Sequence, residues 1–295
     1  MADSFRRAAV ATVFALLSTL FGSHAVNATT LYVTTWDTNN SEIFTVDSTT
    51  GASTSVGLAG TWLSGLTFAG STLYGWGQDG SLYTVDQSTG HATLVGVSGF
   101  SGVEGAIAAH PSDGFLYAAD SSLNRLVRVD PGTGNGTLVG PFNALDISGL
   151  TFVGSTLYGL NSAPDDELVT VDLSTGNATS VGLLGTNIGQ TSGFSVGGLT
   201  YDGSNLLMVD YNRISSIDMA TGAATFVANL SGGLARRTIG GAAAQLAAAP
   251  VPEPITVLLV GLGIAALGLA RRRRLFRPVR WRFPHQLGIR CCRAR

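Results

Sequence analysis

The feature that most limits the fold of this chain is a sequence repeat whose copies lie 41 to 43 residues apart, except for an interval of 49 residues between the fourth and the fifth. Four copies contain a Leu-Tyr pair and a fifth contains Leu-Leu: Leu31-Tyr32, Leu73-Tyr74, Leu116-Tyr117, Leu157-Tyr158 and Leu206-Leu207. Within a copy, apolar and polar residues alternate with a period of two, as in residues 81–86, which indicates β-strands rather than helices. A period of this length with four short strands per copy predicts the blades of a β-propeller.

The order of strands within a copy predicts how the ring closes. We assign a Gly-led segment, such as residues 65–68, to the innermost strand, followed outward by the Leu-Tyr strand, a Val-Asp strand and a Thr-rich strand. On this assignment the chain starts with a second strand, residues 30–34, and its last strand, residues 240–245, completes the same blade. We therefore expect an all-β propeller of five four-stranded antiparallel blades, with no open sheet edge at the seam. The longer fourth copy leaves a further, diverged blade as the alternative.

An aspartate followed by Thr-Gly recurs in every copy, at Asp47, Asp86, Asp130, Asp172 and Asp218. An aspartate side chain accepts hydrogen bonds from backbone N–H groups two residues on, and glycine takes the positive φ that a tight turn needs. We interpret these aspartates as turn residues between the third and fourth strands, because a residue present in every blade serves the blade. Calcium binding is the alternative, although calcium loops need several oxygen ligands in a short segment.

Residues that differ between the copies are the candidates for function. Loops from the second to the third strand, and from one blade to the next, lie at the same end of a propeller. At that end the sequence places aromatic residues beside acids: Trp36, Trp62, Trp76, Asp79, Glu104, Asp120, Asp146, Asp210 and Tyr211. Aromatic rings stack on sugar rings and carboxylates accept hydrogen bonds from hydroxyl groups, so these residues predict a carbohydrate-binding face. The alternative is that the tryptophans pack between blades and the aspartates end hairpins.

Catalytic and metal sites have little support in the sequence. Glu104 and Asp146 are the carboxylate pair that we consider for glycoside hydrolysis, but no catalytic motif surrounds either residue. A histidine metal site needs several imidazoles, and the body holds only His91 and His110, at different points of the repeat. His110 precedes Pro111, and we expect it to be a solvated turn residue. We therefore predict no catalytic residue, metal or cofactor.

The N-terminus has the layout of a secretory signal peptide. Arg6 and Arg7 precede an apolar run and then a segment of small residues, which favours cleavage after Ala25 or Ala28; we prefer Ala28. Signal peptidase is therefore one expected partner.

Charge narrows the choice of other partners. Residues 29–250 contain 17 acidic residues against 5 arginines, a net charge near −12. Such a body lacks the basic residues that nucleic-acid binding requires, which leaves cations or neutral polymers as partners. The only cysteines, Cys291 and Cys292, lie outside this body, so its fold uses no disulfide.

The C-terminal segment combines three elements. Val251-Pro252-Glu253-Pro254 precedes the apolar residues 255–270, and Arg271, Arg272, Arg273 and Arg274 follow. A helix of 16 residues spans ~24 Å, less than the ~30 Å of a bilayer core, and arginines hold its end in the cytoplasm. This order of elements resembles the PEP-CTERM sorting signal over roughly residues 250–274. The alternative is an ordinary anchor in which Pro-Glu-Pro is accidental.

The resemblance implies a route through the cell envelope. An exosortase, an integral-membrane cysteine protease, would recognise Pro252, Glu253 and Pro254 while the apolar helix holds the precursor transiently in the inner membrane. PEP-CTERM signals accompany exopolysaccharide gene sets and biofilm proteins, which implies a role at the cell surface or outside the cell. The tail of this chain continues beyond the arginines further than is usual for the family.

These observations predict five segments and one main function. The segments are a signal peptide (1–28), a propeller (29–246), a linker (247–254), a transmembrane helix (255–270) and a basic cytoplasmic tail (271–295). We expect an exported binding or matrix protein associated with exopolysaccharide or biofilm, and not an enzyme. The alternatives are a propeller glycoside hydrolase or lyase, and a scaffold for protein–protein contacts.

Overall fold

The structure is a computed structural model that describes residues 28–36, 40–103, 105–143, 146–162, 166–185 and 197–246. The predicted signal peptide up to residue 27, the linker from residue 247, the transmembrane helix, the basic tail and Glu104 lie outside these residues. The chain divides into two compact units, Met1–Ala247 and Ala248–Arg295, and every described residue belongs to the first. In the described ranges, no helix combines the length and the apolar character that a membrane crossing requires.

The described residues form twenty strands and one short 3-10 turn, Gly232–Leu234. In chain order the strands are β1 (Thr30–Thr35), β2 (Glu42–Asp47), β3 (Ser53–Leu58), β4 (Leu63–Ala69), β5 (Thr72–Gly77), β6 (Ser81–Val85), β7 (Ala92–Val97), β8 (Ile107–Ala109), β9 (Leu116–Asp120), β10 (Arg125–Val129), β11 (Gly136–Pro141), β12 (Ile147–Val153), β13 (Thr156–Asn161), β14 (Glu167–Val171), β15 (Ala178–Leu183), β16 (Gly198–Tyr201), β17 (Leu206–Asp210), β18 (Arg213–Ile217), β19 (Ala224–Asn229) and β20 (Ile239–Ala244).

The strands form five antiparallel sheets of four strands, which are the blades of a propeller. From the axis outward, the first blade is β20-β1-β2-β3 and the second is β4-β5-β6-β7; the other three follow the order of the second, as β8–β11, β12–β15 and β16–β19. The predicted all-β fold, its five blades and the assignment of the four strands within each repeat are confirmed.

The ring closes inside the first blade. β20 pairs antiparallel with β1, with Leu31 opposite Ala244 and Thr34 opposite Gly241, and Gln245 donates a backbone hydrogen bond to Thr30. The predicted closure by residues 240–245 is confirmed. One sheet therefore contains strands from both ends of the propeller, which removes the open edge at the seam.

Apolar cores lie between neighbouring blades. The core between the fifth and first blades joins Val209 and Ile214 to Leu31, Val33 and Phe44, all of which are buried. Alternation places every second residue of a strand on such a core. Pairing of β20 with β1 therefore completes a sheet and also brings together two halves of a core.

The axis of the ring is filled by backbone, because the innermost strands are rich in glycine. A Cβ atom on Gly198 would lie 2.4 Å from the Ala242 nitrogen, and one on Gly241 would lie 2.7 Å from the Gly65 Cα. The remaining axial space has a volume of about 10 Å³, close to the minimum for one water molecule. Within the described residues, the axis therefore has no room for a larger ligand.

The repeated aspartates shape the turns, as predicted. Asp86 Oδ1 accepts hydrogen bonds from the Ser88 N–H (2.8 Å), the Thr89 N–H (2.9 Å) and the Ser88 hydroxyl (2.6 Å), and Gly90 has φ +77°. The hydrogen bond from the Ser88 hydroxyl, followed by those from the backbone, lowers the pKa of Asp86 to about 2.

The same turns dock each blade against its neighbour. A Cβ atom on Gly57, in the outermost strand of the first blade, would lie 2.2 Å from the Thr89 carbonyl oxygen in the turn of the second. The equivalent close approaches are those of Gly96 to Thr133, Gly140 to Thr175 and Gly182 to Thr221. The repeated turn of one blade and the repeated glycine of the preceding blade therefore make the same contact at each of these four blade boundaries.

Candidate functional site

The two ends of the propeller carry different kinds of connection. We call the end with the second-to-third-strand loops and the connections between blades the loop face, and the end with the Asp-x-x-Thr-Gly turns the turn face. Neighbouring strands of a blade alternate in direction. Each second strand therefore ends at the loop face, and each innermost strand begins there; the second strands are β1, β5, β9, β13 and β17, and the innermost strands include β4 and β12. Apart from Trp76, which lies within β5, the described candidates of the predicted ligand face occupy such positions or the loops beside them.

Trp36 and Trp62 form an aromatic pair at the loop face. Trp36 follows β1 and Trp62 precedes β4, so the pair joins the first two blades. Their ring centroids are 5.2 Å apart at 62°, an edge-to-face arrangement, and both residues are half-buried. Backbone hydrogen bonds hold them: the Trp36 N–H donates to Thr238 (2.8 Å), and the Trp62 carbonyl accepts from Gln78 (3.1 Å). The pair therefore combines a fixed backbone with partly exposed aromatic surface.

Trp76 offers no surface to a ligand. Its side chain is 0% exposed and packs with Leu82 and Ile107 in the core between the second and third blades. Trp76 lies within β5, where alternation points it into this core, whereas Trp36 and Trp62 lie outside strands. The structure thus places Trp76 as a packing residue and corrects its assignment to the predicted ligand face.

The last residue of the second strand is polar and buried in four of the five blades, namely Thr35, Asp120, Asn161 and Asp210. Asp120 accepts a hydrogen bond from Arg125 Nε (3.1 Å), and Asn161 donates to Glu167 (2.9 Å), in each case across the hairpin. These contacts fit the hairpin role that the sequence left open for the aspartates. The repeat alignment contains this signal, because four copies carry a polar residue at this position.

In the fifth blade, Asp210 lies opposite Arg213 in the β17–β18 register, and its Oδ1 accepts a hydrogen bond from the Tyr211 N–H. In the second blade glycine ends the strand, and Asp79 in the next loop accepts hydrogen bonds from the Ser81 N–H (3.0 Å) and hydroxyl (2.9 Å). These aspartates are engaged in the loops that carry them.

Asp146 differs from the other aspartates of the loop face. It is half-buried just before β12, and burial raises the pKa of its carboxyl group. Its backbone carbonyl accepts a hydrogen bond from Ser162 (3.0 Å). Glu104, its proposed partner in hydrolysis, lies outside the described residues. Among the residues that are described, no three His, Cys, Asp or Glu side chains gather as a metal site would require.

The turn from Leu234 to Arg237, which precedes β20, was not among the candidate residues of the sequence. Ala235 has φ −58° and ψ 127°, Arg236 has φ +63°, and the Arg237 N–H donates to Leu234 (3.2 Å), as in a type II turn. Arg236 occupies the third position of this turn, which favours glycine. A residue with a side chain at that position lowers the stability of the fold by about 1–2 kcal/mol. Arg237 donates to Glu42 and lies 5.6 Å over the Phe44 ring. Arg236 is exposed.

His110 lies at the turn face and is not the solvated residue that we expected. Its side chain is only 11% exposed, with its ring centroid 4.8 Å from that of Phe152. Nδ1 accepts hydrogen bonds from the Ser112 N–H (3.3 Å) and the Asp113 N–H (3.0 Å), so its 3.3 Å approach to Asp113 Oδ1 is not an ion pair. The turn position was right, but Phe152 comes from the next blade, which the local sequence does not reveal.

Both ends of the propeller chain lie at the turn face. β1 starts there and β20 ends there, and the Gln245 side chain donates to Gln87 (3.0 Å) in an Asp-x-x-Thr-Gly turn. Gln245 therefore lies at the end of the propeller opposite Trp36 and Trp62.

Comparison with known families identifies the C-terminal segment. Residues 250–274 match the model of the PEP-CTERM protein-sorting motif, which confirms the resemblance found in the sequence. The motif implies that the protein is exported and sorted by an exosortase to the cell envelope or surface. The match includes no residue of the propeller strands.

Comparison with solved structures supports the fold. A chain in the crystal structure of a nidogen/laminin complex is similar, with a TM-score of 0.52 and 14% identity over 74% of this chain and 98% of that one. A structural genomics protein of unknown function from Bacteroides thetaiotaomicron VPI-5482 has a TM-score of 0.46 and 16% identity over 70% of this chain and 59% of that one. No curated protein sequence matches this chain. The likeness therefore concerns the fold alone.

Proposed function

We propose that this protein is an exported binding protein of the cell envelope or extracellular matrix, whose loop face binds polysaccharide. The observation that carries the proposal is the half-buried, partly accessible pair of Trp36 and Trp62 on a face whose chain connections differ from blade to blade. The PEP-CTERM motif supports export and a final place at or beyond the cell surface, where exopolysaccharide and biofilm polymers are found.

The shape of the site favours a polymer over a small molecule. The axis is closed by glycine backbone, so a ligand of the described residues would lie on the face and not inside the ring. The two tryptophan rings are partly accessible side by side on this face, and aromatic rings stack on successive sugar rings along a chain. A polysaccharide laid across the first two blades would use this geometry.

The binding proposal is tested with the full chain purified in detergent. We expect Trp36→Ala and Trp62→Ala each to weaken binding on a polysaccharide array by about tenfold, because each removes an aromatic stacking surface. Phe226→Ala is the matched control, since Phe226 is 49% exposed on the outermost strand of the fifth blade. No binding by the parent chain, or equal binding by all four proteins, would refute the proposal.

Sorting is tested separately in the cells that process the chain. Mass spectrometry of the mature protein should find a form that lacks Arg271 to Arg274. Glu253→Ala should leave the precursor in the inner membrane if Pro-Glu-Pro is the recognition element. An unchanged mature form in this variant would contradict exosortase recognition through Glu253.

A catalytic role is the second candidate, and one observation favours it. Burial raises the pKa of Asp146, which is the direction that a general acid requires. If the loop face hydrolysed or cleaved its glycan, Asp146→Asn and Glu104→Gln would abolish product formation while the tryptophan pair still bound the polymer. Unchanged turnover in both variants would exclude these two acids.

A protein scaffold is the third candidate. The outermost strands expose Leu58, Leu94 and Leu183, each more than half accessible, which suits contact with another protein. Partners that co-purify with the parent chain but not with Leu94→Ser would favour this role over polysaccharide binding.

A further inference from the structure

The five arginines of the described residues differ in whether their side chains have a partner. Four have a partner: Arg125 donates to Asp120, Arg128 lies 4.5 Å over the Phe115 ring, Arg213 lies 5.9 Å over the Phe226 ring and Arg237 donates to Glu42. Arg236 makes no hydrogen bond, ion pair or ring contact with any residue that the structure describes. Among the arginines of the described residues, Arg236 is therefore the exception, because each of the other four contacts a carboxylate or an aromatic ring.

The backbone of Arg236 makes this exception costly. Its φ of +63° places it at the third position of the turn from Leu234 to Arg237, where glycine would be unstrained. The chain contains 39 glycines and places several of them at positive φ in other turns, such as Gly51 and Gly90. Strained residues that the fold does not use in packing are often retained for function.

Arg236 is also close along the chain to a residue that binds the backbone of Trp36. Thr238, two residues further on, accepts the hydrogen bond of the Trp36 N–H at 2.8 Å, and the Trp36 ring contacts that of Trp62. Two residues span at most about 7 Å of chain. The turn that carries Arg236 is therefore part of the same corner of the loop face as the two tryptophans.

We propose that Arg236 recognises a carboxylate on the bound glycan, so that the loop face selects a largely neutral polysaccharide with isolated uronic acid residues. This inference rests on the polysaccharide-binding function proposed above. A guanidinium group presents a planar fork of N–H donors that matches the two oxygens of a carboxylate, and Trp36 and Trp62 supply the stacking surface for the neighbouring sugar.

The charge of the body limits the density of carboxylates on the ligand. A net charge near −12 on residues 29–250 repels a polymer that carries an acid on every sugar. Screening in physiological salt reduces this repulsion beyond about 8 Å, so a single carboxylate in contact with Arg236 is accepted while a dense polyanion is not. The expected ligand is therefore a heteropolysaccharide with few uronic acids per repeat unit.

Four oligosaccharides of similar length test the inference by calorimetry with the full chain in detergent. They are xylotetraose, a xylotriose that carries one glucuronic acid, tetragalacturonate and a singly sulfated xylotetraose. We expect the singly uronylated oligosaccharide to bind about fivefold more tightly than xylotetraose. Tetragalacturonate and the sulfated compound should bind no more tightly than the uronylated one.

Three variants test whether Arg236 causes the preference for the uronylated oligosaccharide. Arg236→Gly should abolish the difference between the uronylated and neutral oligosaccharides and raise the unfolding midpoint by about 2–4 °C as the strain is relieved. Arg128→Ala removes the same charge from an exposed position in β10 and should keep the preference. Trp62→Ala should weaken binding of both oligosaccharides alike.

The outcomes separate this inference from the proposal on which it rests. Trp62-dependent binding without a preference for the uronylated compound, or a preference that survives Arg236→Gly, would overturn the role of Arg236 and leave polysaccharide binding intact. Tighter binding of the sulfated compound or of tetragalacturonate would overturn the assigned ligand class. No binding of any glycan, in the parent chain or in Trp62→Ala, would overturn both.

Discussion

The turn face and the loop face use aspartate in opposite ways. At the turn face, Asp86, Asp172 and Asp218 recur at the same repeat position, and hydrogen bonds from the next residues lower the pKa of each carboxyl group. At the loop face, Asp146 belongs to one blade, and burial raises the pKa of its carboxyl group. The repeated acids are therefore satisfied by their own turns, whereas the single acid carries a cost that its own loop does not remove.

The same contrast extends to other residue types. Glycines of the turn face and outermost strands recur and allow neighbouring blades to approach closely, whereas Trp36, Trp62 and Arg236 have no counterpart in the other blades. Repeated residues thus form and join the blades, and residues that break the repeat are the candidates for recognition. Variants at the two faces should separate these roles.

Removal of the closing strand should have the largest effect on the folded state. A chain that stops after Thr238 lacks β20, so β1 loses its inner neighbour and the core between the fifth and first blades loses Ile239 and Ala242. We expect this chain not to fold at 37 °C, as judged by rapid proteolysis and the absence of a cooperative thermal transition.

A chain that stops after Leu246 is its control, since it keeps β20 and every described contact of that strand. Cooperative unfolding of the chain that stops after Thr238 would show that the ring does not depend on closure by β20.

Disruption of one contact between blades should have the next largest effect. A Cβ atom on Gly140 would lie 1.9 Å from the Thr175 carbonyl oxygen, so Gly140→Ala must move a backbone segment of the fourth blade. We expect a loss of about 3 kcal/mol in the free energy of unfolding, measured in urea.

Gly70→Ala separates this clash from backbone conformation. Gly70 has φ +60°, but a Cβ atom there would meet nothing within 4 Å. The expected loss is about 1 kcal/mol, from the positive φ alone. Equal losses in the two variants would contradict the docking role of the turns.

Titration of the turn aspartates should make the fold sensitive to acid. Because the folded-state pKa values of Asp86, Asp172 and Asp218 lie below the unfolded value, their stabilisation is present above the unfolded pKa and is lost as pH falls through the folded-state values, which for Asp86 is about 2. Triple replacement by Asn should make stability less dependent on pH in this window and reduce proton uptake on unfolding by at most about three protons. An unchanged pH slope would contradict their role as charged acceptors.

Asp146 should give the smallest effect, with the opposite sign. A pKa raised in the folded state means that the charged carboxylate destabilises the fold at neutral pH, and that this cost disappears as pH falls below both pKa values. Asp146→Asn should therefore raise the unfolding midpoint slightly at pH 7 and leave it unchanged near pH 3. A lower midpoint at pH 7 would show that the charged form makes favourable contacts.

Most of the fold and part of the site could be predicted from the sequence. Alternation in residues 81–86 and the offset between the first and last strands were sufficient for the blade order and for the pairing of β20 with β1. The three tryptophans of the predicted face could not be separated, because Trp76 is buried by a neighbouring blade and Trp62 is not. The burial of His110 was missed for the same reason, since the Phe152 ring that covers it comes from the next blade.

By itself, the sequence determined the properties that depend on residues close together along the chain. The strand period, the Asp-x-x-Thr-Gly turns, the placement of glycine at turns and the sorting motif at residues 250–274 are all of this kind. Tertiary structure alone decided which aromatic rings stay accessible and which glycines touch the next blade. It also decided that Arg236 is exposed and has a positive φ in the turn before β20. The reason is that burial and close approach depend on the neighbouring blade, whose residues lie about forty positions away in the sequence.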